Sequence, residues 1–268
     1  MRPKLSIVTP SLNQAVFLER TIRSVVDQEY ENLEYLVVDG GSTDGSIEII
    51  ERYADRLAWW VTEPDEGQTD ALNKGLDHAT GEIVAYINSD DYYLPGAFDD
   101  AVAALNASEA LWAVGAARFV DSAGRVTEVW RPEPPPPARH WWILYPWGVP
   151  QAATFWRREA FQRYGNFRRD MHYVFDTEFG LRLLFAGELP LTINRELAVR
   201  VHHEGAKSWD RRPFDREERQ LVRLYGQELK GTERGKLAFH SALKNAGVYR
   251  IRPAVTRAAK RWTRPATE

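Results

Sequence analysis

The sequence predicts an α/β fold with a mainly parallel central sheet flanked by helices, followed by a helical C-terminal tail. Three observations support this prediction. Short apolar runs alternate with amphipathic helical segments over about the first 90 residues. The run Ile83–Ile87 is continuously apolar, as expected for a strand buried on both faces. After this run the alternation gives way to a hairpin pattern and then to helices, and repeated βα units imply a parallel sheet covered by helices.

The first half of the chain contains four predicted strands separated by helices. The strands are predicted at Leu5–Thr9, Leu33–Val38, Leu57–Val61 and Ile83–Ile87. The helices are predicted at Val16–Asp27, Ser46–Tyr53 and Thr69–Ala79. The first helix carries an apolar stripe from Leu18 to Val26 at helical spacing, and Pro10 ends the strand before it. The second strand ends at Asp39-Gly40-Gly41, a turn sequence.

The second half has a different pattern. A hairpin is predicted from Ala117–Val120 and Arg125–Trp130. Further elements are strands at Ala153–Trp156 and Leu197–Val201, helices at Arg158–Tyr164 and Thr177–Ala186, and helices beyond Pro213. Four consecutive prolines between Arg131 and Pro150 predict a long surface loop, because proline lacks a backbone donor. We expect an α/β half over residues 1–110, a mixed half of the same domain over 111–212, and a helical basic extension over 213–268.

Composition excludes several classes of protein. The 35 basic and 38 acidic side chains give a net charge of −3, which provides no argument for a nucleic-acid partner. The absence of cysteine excludes disulfides, thiolate metal sites and cysteine nucleophiles. No apolar run approaches the roughly 20 residues that span a bilayer, and the N-terminus does not resemble a signal sequence. We therefore expect a soluble, cytoplasmic protein.

The predicted strand ends carry polar and acidic residues. They are Thr9–Asn13, Asp39–Gly45 and Asn88–Asp91, and ligands of parallel α/β sheets bind at this edge. Gly40–Gly45 has the spacing of a phosphate-binding P-loop, but Ser46 stands where the lysine should follow. No Gly-x-Gly-x-x-Gly follows the first strand. An anionic edge can bind a diphosphate only through a divalent cation, and carboxylate oxygens suit Mg²⁺ or Mn²⁺.

Eight segments together resemble the family-2 inverting glycosyltransferases, which have the GT-A fold. They are Ser6–Asn13, Val37–Gly45, Gly67–Gly75, Ala79–Gly81, Asn88–Asp91, Pro150–Phe155, Met171–Phe179 and His203–Ser208. The resemblance covers about residues 4 to 208. It implies a metal-dependent, hexosyl-type transfer from a nucleotide-diphospho-sugar, with a UDP-type donor favoured, to a hydroxyl acceptor. The acceptor would be a glycan or a lipid-linked molecule in polysaccharide, glycolipid or cell-surface glycan synthesis.

The resemblance also implies roles for individual residues. The nucleotide-sugar would be bound by Thr9, Ser11, Asp39, Asp70, Asn73 and Asn88. Within this set, Asp39 would contact the nucleobase. The metal ligands would be Asp90, with Asp91 and His203 as further candidates. The family's Asp-x-Asp motif has Asn88 at its first acid here, and this amide brings no charge to a metal.

The resemblance places the catalytic base at Asp176, with Glu178 as the alternative. In an inverting displacement this carboxylate takes the proton of the attacking hydroxyl. Gln151 and Trp147 are the predicted acceptor contacts. Trp147 belongs to an aromatic set with Trp141, Trp142 and Tyr145, which could stack on sugars or simply be buried.

Structural explanations compete with these roles. Asp176 could be a helix N-cap, Asp90-Asp91 a turn, and Asp39 part of a glycine turn. Asp70 and Asn73 could be solvated polar residues at a helix start, and His203 a surface residue. Convergence of the three polar or acidic strand ends favours a ligand site, since their acids repel one another without a cation.

Two other functions are compatible with the sequence. One is a non-catalytic nucleotide- or glycan-binding subunit in which Asn88 has weakened metal binding. A sugar-1-phosphate nucleotidylyltransferase is less favoured, because Thr9–Asn13 lacks the glycine and basic residues that hold a triphosphate.

The basic residues of 213–268 could form a solvated helix face or contact an anionic membrane, giving a peripheral location at the inner membrane face.

Overall fold

A computed structural model describes residues 2–136, 138–144, 149–207, 209 and 212–245. The chain divides into two compact units. The first comprises residues 1–135 and 148–218, and the second comprises residues 136–147 and 219–268. The predicted boundaries after residues 110 and 212 stay a prediction.

The elements follow the predicted order with a few additions. The strands are β1 (Leu5–Ser11), β2 (Leu33–Asp39), β3 (Trp59–Thr62), β4 (Ile83–Tyr86), β5 (Tyr92–Tyr93), β6 (Trp112–Asp121), β7 (Val126–Trp130), β8 (Thr154–Arg157) and β9 (Leu191–His202). The helices are α1 (Ala15–Val26), α2 (Ser46–Arg52), α3 (Gln68–His78), α4 (Ala97–Asn106), α5 (Arg139–Leu144), α6 (Arg158–Tyr164), α7 (Phe175–Ala186), α8 (Arg212–Gly226) and α9 (Gly231–Asn245). Short 3₁₀ turns lie at Ala54–Arg56 and Gln151–Ala153.

One sheet contains all the strands of the described residues, in the order β3-β2-β1-β4-β8-β6-β9-β5, with β7 paired to β6. The strands β3, β2, β1 and β4 are parallel. Antiparallel pairing joins β4 to β8, β8 to β6, β6 to β7 and β9 to β5, whereas β6 and β9 are parallel. The predicted α/β fold with a flanked central sheet is confirmed, and so is the hairpin.

Pro10 does not end β1, which continues to Ser11, and two other strands begin well before their predicted first residues. β6 begins at Trp112 instead of Ala117, and β9 begins at Leu191 instead of Leu197. Their pairing shifts register around Gly115 and Ala116. A Cβ at Gly115 would lie 2.3 Å from Leu197, so glycine permits this close approach. The irregular register and small residues hide the strand periodicity in the sequence.

Each face of the sheet has its own apolar packing. One face packs against α1, α2 and α4 through a core that includes Ile7, Ile22, Tyr35 and Phe98. Aromatic rings on the other face connect the sheet to α6 and α7: Tyr86, Trp156, Phe161, Phe167, Phe175 and Phe179. This aromatic packing fixes α7 near the carboxyl end of β4.

Within the second unit, α5 packs against α9, and the rings of Trp141 and His240 lie 4.6 Å apart. Trp142 is buried and donates its indole N–H to the Pro136 carbonyl. Burial is therefore the observed role for the Trp142 member of the aromatic set. No helix among the described residues is both long enough and apolar enough to cross a bilayer.

Candidate active site

The loops after β1 and β2 meet at the carboxyl edge of the sheet, where Ser11 pairs with Asp39. The Asp39 carboxylate is fully buried. It accepts hydrogen bonds from the backbone of Gly41 (3.0 Å) and Ser42 (2.8 Å), and from the hydroxyls of Ser42 (2.6 Å) and Thr62 (3.0 Å). Asp39 thus holds the turn after β2, as expected if it is part of a glycine turn. It also lies at the edge of the sheet where a nucleoside is predicted to bind.

Thr9 and Ser11 face the same side of β1 but differ in their partners. The Thr9 hydroxyl pairs with the Tyr35 hydroxyl at 3.0 Å inside the core, so its side chain serves packing. The predicted contact between Thr9 and a nucleoside stays a prediction. The buried Ser11 hydroxyl has no hydrogen-bond partner among the residues that the structure describes. Ser11 is therefore the better placed of the two to bind a ligand.

Asn73 and Asp70, on α3, are both buried and engaged with protein groups. The Asn73 amide donates to the Phe167 carbonyl (2.8 Å) and accepts from the Phe167 N–H (3.1 Å). Asp70 forms ion pairs with Arg169 (2.7 Å) and Lys74 (3.4 Å). The expectation of solvated side chains is wrong, because both join α3 to neighbouring segments. Their predicted contacts with the nucleotide sugar stay a prediction.

The motif after β4 connects to the start of α3. Asn88 is half-buried, and its amide oxygen accepts a hydrogen bond from Gln68 at 2.6 Å. The Lys207 ammonium in turn donates to the other amide atom of Gln68, at 3.0 Å. A chain of polar groups therefore runs from Asn88 through Gln68 to Lys207.

Asp90 and His203 are the two predicted metal ligands that the structure brings together. Asp90 Oδ2 lies 3.1 Å from His203 Nε2, and both side chains are largely shielded from solvent. The His203 ring packs on Phe17, with centroids 4.4 Å apart. The contact joins the loop after β4 to the end of β9, which are 113 positions apart in sequence.

Asp91 has different partners from its neighbour, and its predicted role as a metal ligand stays a prediction. Its carboxylate accepts from the Val201 N–H (3.0 Å) and the Gln151 amide (3.2 Å), and Arg200 lies 3.8 Å away. Burial, with the adjacent Asp90 carboxylate adding to it, raises the pKa of Asp91 to about 7. Because Asp91 is buried, its lone pairs must be satisfied inside the protein, and it holds the loop against β9.

Asp90 and His203 form the donor set that this part of the site offers to a divalent cation. Among the described residues, no group of three or more histidine and acidic side chains could hold a metal ion. The Asp90–His203 pair nevertheless offers a carboxylate oxygen, the ligand type that suits Mg²⁺ or Mn²⁺, together with an imidazole nitrogen. Cations that act on nucleotides are often held by one or two protein ligands plus phosphate oxygens and water. The pair fits that arrangement.

Asp176 lies in the first turn of α7, whose N-cap is Val174, so the expectation of an Asp176 cap is wrong. One carboxylate oxygen accepts the Thr177 N–H at 2.6 Å. Burial raises the pKa of Asp176, although hydrogen bonding from Thr177 and the charges of Arg200 and Lys207 oppose this rise. A carboxylate with a raised pKa is a better proton acceptor, as a general base requires.

Glu178 is buried on another face of α7. It forms an ion pair with Arg182, whose guanidinium also donates to the carbonyls of Tyr164 and Asn166. The geometry therefore favours Asp176 over Glu178 as the base.

Three site residues were missed by the sequence reasoning. Arg200 carries positive charge close to both Asp91 and Asp176, and Lys207 interacts with Asp176. The buried Tyr86 hydroxyl has no hydrogen-bond partner within the described part of the chain, and its pKa is raised by burial and by Asp176. The positive charges of Arg200 and Lys207 therefore offset part of the repulsion among the acidic side chains. From the sequence, only a metal ion was expected to offset this repulsion. Lys207 lies in His203–Ser208, a segment that carries the family resemblance, so it could have been predicted from the sequence. Nothing in the sequence of β9 distinguishes Arg200 as a site residue.

The predicted acceptor contacts have different outcomes. Gln151 is buried at the start of a 3₁₀ turn and donates to Asp91, while its amide oxygen has no partner among the described residues. Its observed contact therefore positions Asp91. Trp147 lies outside the described residues, as do the tail residues from 246 onward.

The model of glycosyl transferase family 2 matches residues 6–180. An uncharacterized glycosyltransferase of Mycobacterium tuberculosis is 32% identical over 196 residues, which are 71% of this chain and 72% of that protein.

Two solved structures share the fold. Residues 1–349 of TarS from S. aureus, in complex with UDP-GlcNAc, align with a TM-score of 0.68 and 20% identity, over 87% of this chain and 70% of that one. The mannosyltransferase PcManGT from Pyrobaculum calidifontis, in complex with GDP-Man and Mn²⁺, aligns with a TM-score of 0.57 and 21% identity. That alignment covers 98% of this chain and 84% of the other.

Proposed function

Since this chain belongs to glycosyltransferase family 2 and is a glycosyltransferase, we propose that it transfers a hexosyl group with inversion from a UDP-type nucleotide sugar. The acceptor is a hydroxyl of a glycan or a lipid-linked molecule, and the reaction depends on Mg²⁺ or Mn²⁺. The observation that carries this proposal is the position of Asp176. Its carboxylate has a raised pKa and interacts with Lys207, which Gln68 links to the Asn88–Asp90 motif.

The donor end of the site is assigned to the carboxyl edge of β1, β2 and β4. Ser11 offers a buried hydroxyl with no protein partner in the described chain, and Asp39 fixes the neighbouring turn. Asn88 is an uncharged acceptor suited to a ribose hydroxyl. A fold neighbour bound to UDP-GlcNAc supports a UDP-type donor, and another bound to GDP-Man and Mn²⁺ supports the metal.

Asp90 and His203 would hold the cation. When bound, the cation stabilises negative charge on the leaving diphosphate. The chain's own cations, Arg200 and Lys207, add positive charge on the Asp176 side of the site. We assign Asp91, Asn73 and Gln151 to positioning, because each already pairs with protein groups.

Asp176 accepts the proton of the acceptor hydroxyl as that oxygen attacks the anomeric carbon. The attack occurs on the face opposite the leaving diphosphate, which inverts the configuration. The neutral Tyr86 hydroxyl lies close enough to Asp176 for the aspartate charge to raise its pKa. No covalent intermediate on the protein is needed.

Substitution of the base tests this proposal. Asp176→Asn keeps the size of the side chain but removes its ability to accept a proton, so we expect about a 10²- to 10⁴-fold loss of transfer. UDP-glucose, UDP-N-acetylglucosamine, UDP-galactose and GDP-mannose would be assayed for hydrolysis and transfer with Mg²⁺ or Mn²⁺. UDP affinity of Asp176→Asn, measured by calorimetry, should stay within about twofold of wild type.

Asp215→Asn provides the charge control, because Asp215 is exposed on α8. It should leave both activity and binding unchanged. Undiminished transfer by Asp176→Asn would overturn the base assignment. Nucleotide binding without metal and without turnover of any donor would favour the non-catalytic binding subunit instead.

A further inference from the structure

The turn that precedes α7 is held by a carboxylate from a distant part of the chain. Three consecutive backbone N–H groups, those of His172, Tyr173 and Val174, donate to Glu217. The donor–acceptor distances are 2.9, 2.7 and 3.0 Å, and the last two bonds share Oε2. Glu217 lies on α8 and is only 9% exposed.

This arrangement is favourable for a buried acid. Backbone N–H groups that lead into a helix attract negative charge, because the helix dipole places partial positive charge there. Hydrogen bonds to an ionised acceptor are stronger than those between neutral groups. The desolvation cost of burying Glu217 is therefore offset by three bonds to the same turn.

Other side chains hold the carbonyl groups of the same segment. The Thr69 hydroxyl donates to the Met171 carbonyl at 2.8 Å, and the Lys207 ammonium donates to the His172 carbonyl. The Tyr173 ring also packs edge-on against Phe214, with centroids 5.1 Å apart. The turn is thus held through both kinds of backbone group. Glu217 accepts hydrogen bonds from its N–H groups, and Thr69 on α3 and Lys207 donate to its carbonyls.

Asp176 follows Val174 by two positions and lies in the first turn of α7. Its direction therefore depends on the backbone conformation of residues 172–174. Lys207 connects the two acids further, because the Glu217 and Asp176 charges both act on its ammonium group. Glu217 lies beyond residue 180, where the family match ends.

From these contacts we propose that Glu217 is a positioning residue for Asp176. Its carboxylate fixes the turn that orients the base toward the acceptor hydroxyl. The proposal rests on the proposed function, because it assumes that Asp176 is the base. Glu217 itself touches neither donor nor acceptor.

Variants at Glu217 test this role in the full-length protein. Glu217→Gln keeps the size but loses the charge, and Glu217→Ala exposes the three N–H groups. We expect kcat to fall about 10- to 100-fold in both, because small displacements of a catalytic group cost this much. KM for the most active donor of the panel and UDP affinity should change less than about twofold. Asp215→Asn, a charge loss on the same helix, should change neither kcat nor KM.

Chemical rescue separates positioning from a general effect on stability. Acetate should occupy the space left in Glu217→Ala, bind the three N–H groups, and raise kcat in a concentration-dependent way. Acetate should not restore Asp176→Asn. Hydrogen exchange measured without donor should show faster exchange at Tyr173 and Val174 in Glu217→Ala, with protection returning in acetate.

The two proposals fail in different ways. Loss of activity in Asp176→Asn together with wild-type kcat in both Glu217 variants would overturn only the positioning role. The same conclusion would follow if exchange at Tyr173 and Val174 were unchanged in Glu217→Gln. If Glu217→Ala does not fold, Glu217→Gln decides through its kcat and its exchange. Full activity of Asp176→Asn would instead overturn the proposed function.

Discussion

At the scale of single residues, adjacent acids in this protein differ in their burial and in their hydrogen-bond partners. The Asp90 side chain is 18% exposed and pairs with His203, whereas Asp91 is buried and pairs with β9 and Gln151. On α7, the Asp176 carboxylate accepts the Thr177 N–H, whereas Glu178 is held in an ion pair by Arg182. The available partners, and not the acid itself, determine which carboxylate can serve in chemistry.

Removal of Asp90 tests the metal assignment. Asp90→Ala should weaken Mn²⁺-dependent UDP binding about tenfold or more, since it removes the only carboxylate of the Asp90–His203 pair. Calorimetric titration of UDP with and without Mn²⁺ measures this change. Equal Mn²⁺ dependence in Asp90→Ala and wild type would place the cation elsewhere, and Asp215→Asn serves as the control.

Glu178→Gln should affect stability more than catalysis. The substitution weakens the buried interaction with Arg182, and we expect it to lower the free energy of unfolding by about 1–3 kcal/mol. Urea denaturation measures this loss, and kcat should stay within a fewfold of wild type. If Glu178→Gln lost transfer as completely as Asp176→Asn, Glu178 would have to be reconsidered as the base.

At the scale of elements, the site depends on how closely α3 approaches the sheet. α3 carries Gln68 at its start and Gly75 in its last half. A Cβ at Gly75 would lie 2.4 Å from Val8 and 3.4 Å from Val38, both of which are fully buried. The glycine therefore sets the distance between α3 and β1, and with it the position of the polar chain from Asn88 to Lys207.

Gly75→Ala should consequently destabilise the protein by about 1–3 kcal/mol through overpacking, despite the higher helix propensity of alanine. It should also weaken UDP binding, because α3 must move away from β1. Gly235→Ala is the matched control, since a Cβ there meets nothing within 4 Å. That control should raise stability by up to about 1 kcal/mol. A stability gain in Gly75→Ala would refute the close-packing argument.

At the scale of the whole molecule, a second acidic centre lies at the opposite edge of the sheet from the site and joins distant segments. The buried Glu34 carboxylate on β2 accepts hydrogen bonds from Ser6 on β1, from Thr80 after α3, and from Lys4 at 2.6 Å. Burial opposes ionisation of Glu34, but the hydrogen bonds from Lys4, Ser6 and Thr80 outweigh it and lower its pKa to about 2.

This shift predicts how stability depends on pH. The pKa of Glu34 is lower in the folded state than its ordinary value of 4.5, so its contribution is present above about pH 4.5. The contribution is lost as pH falls from about 4.5 toward 2. Glu34→Gln should therefore cost about 2 kcal/mol at pH 7. The difference from wild type, measured by urea denaturation, should shrink below pH 4.5, and a pH-independent difference would contradict the role of the charge.

The sequence predicted a large part of this organisation. Apolar periodicity located β1, β2, β4 and the helices between them, and turn residues marked the strand ends where Asp39, Asn88 and Asp90 lie. Local patterns suffice for these features because helix and strand periodicity are set by neighbouring residues. The resemblance to a known family added Asp176 and His203, which lie in the second half of the first unit, where the periodicity is weak.

Only the tertiary structure decided which of these groups face one another. Asp90 meets His203 across 113 positions, and Glu217 reaches His172 across 45. Adjacent acids such as Asp90 and Asp91 look equivalent in sequence, because their difference arises from burial and from partners that packing brings close. The sequence therefore determined the elements and the chemistry available at the sheet edge. Long-range packing determined which carboxylates remain partly exposed and which are buried in hydrogen bonds that stabilise the fold.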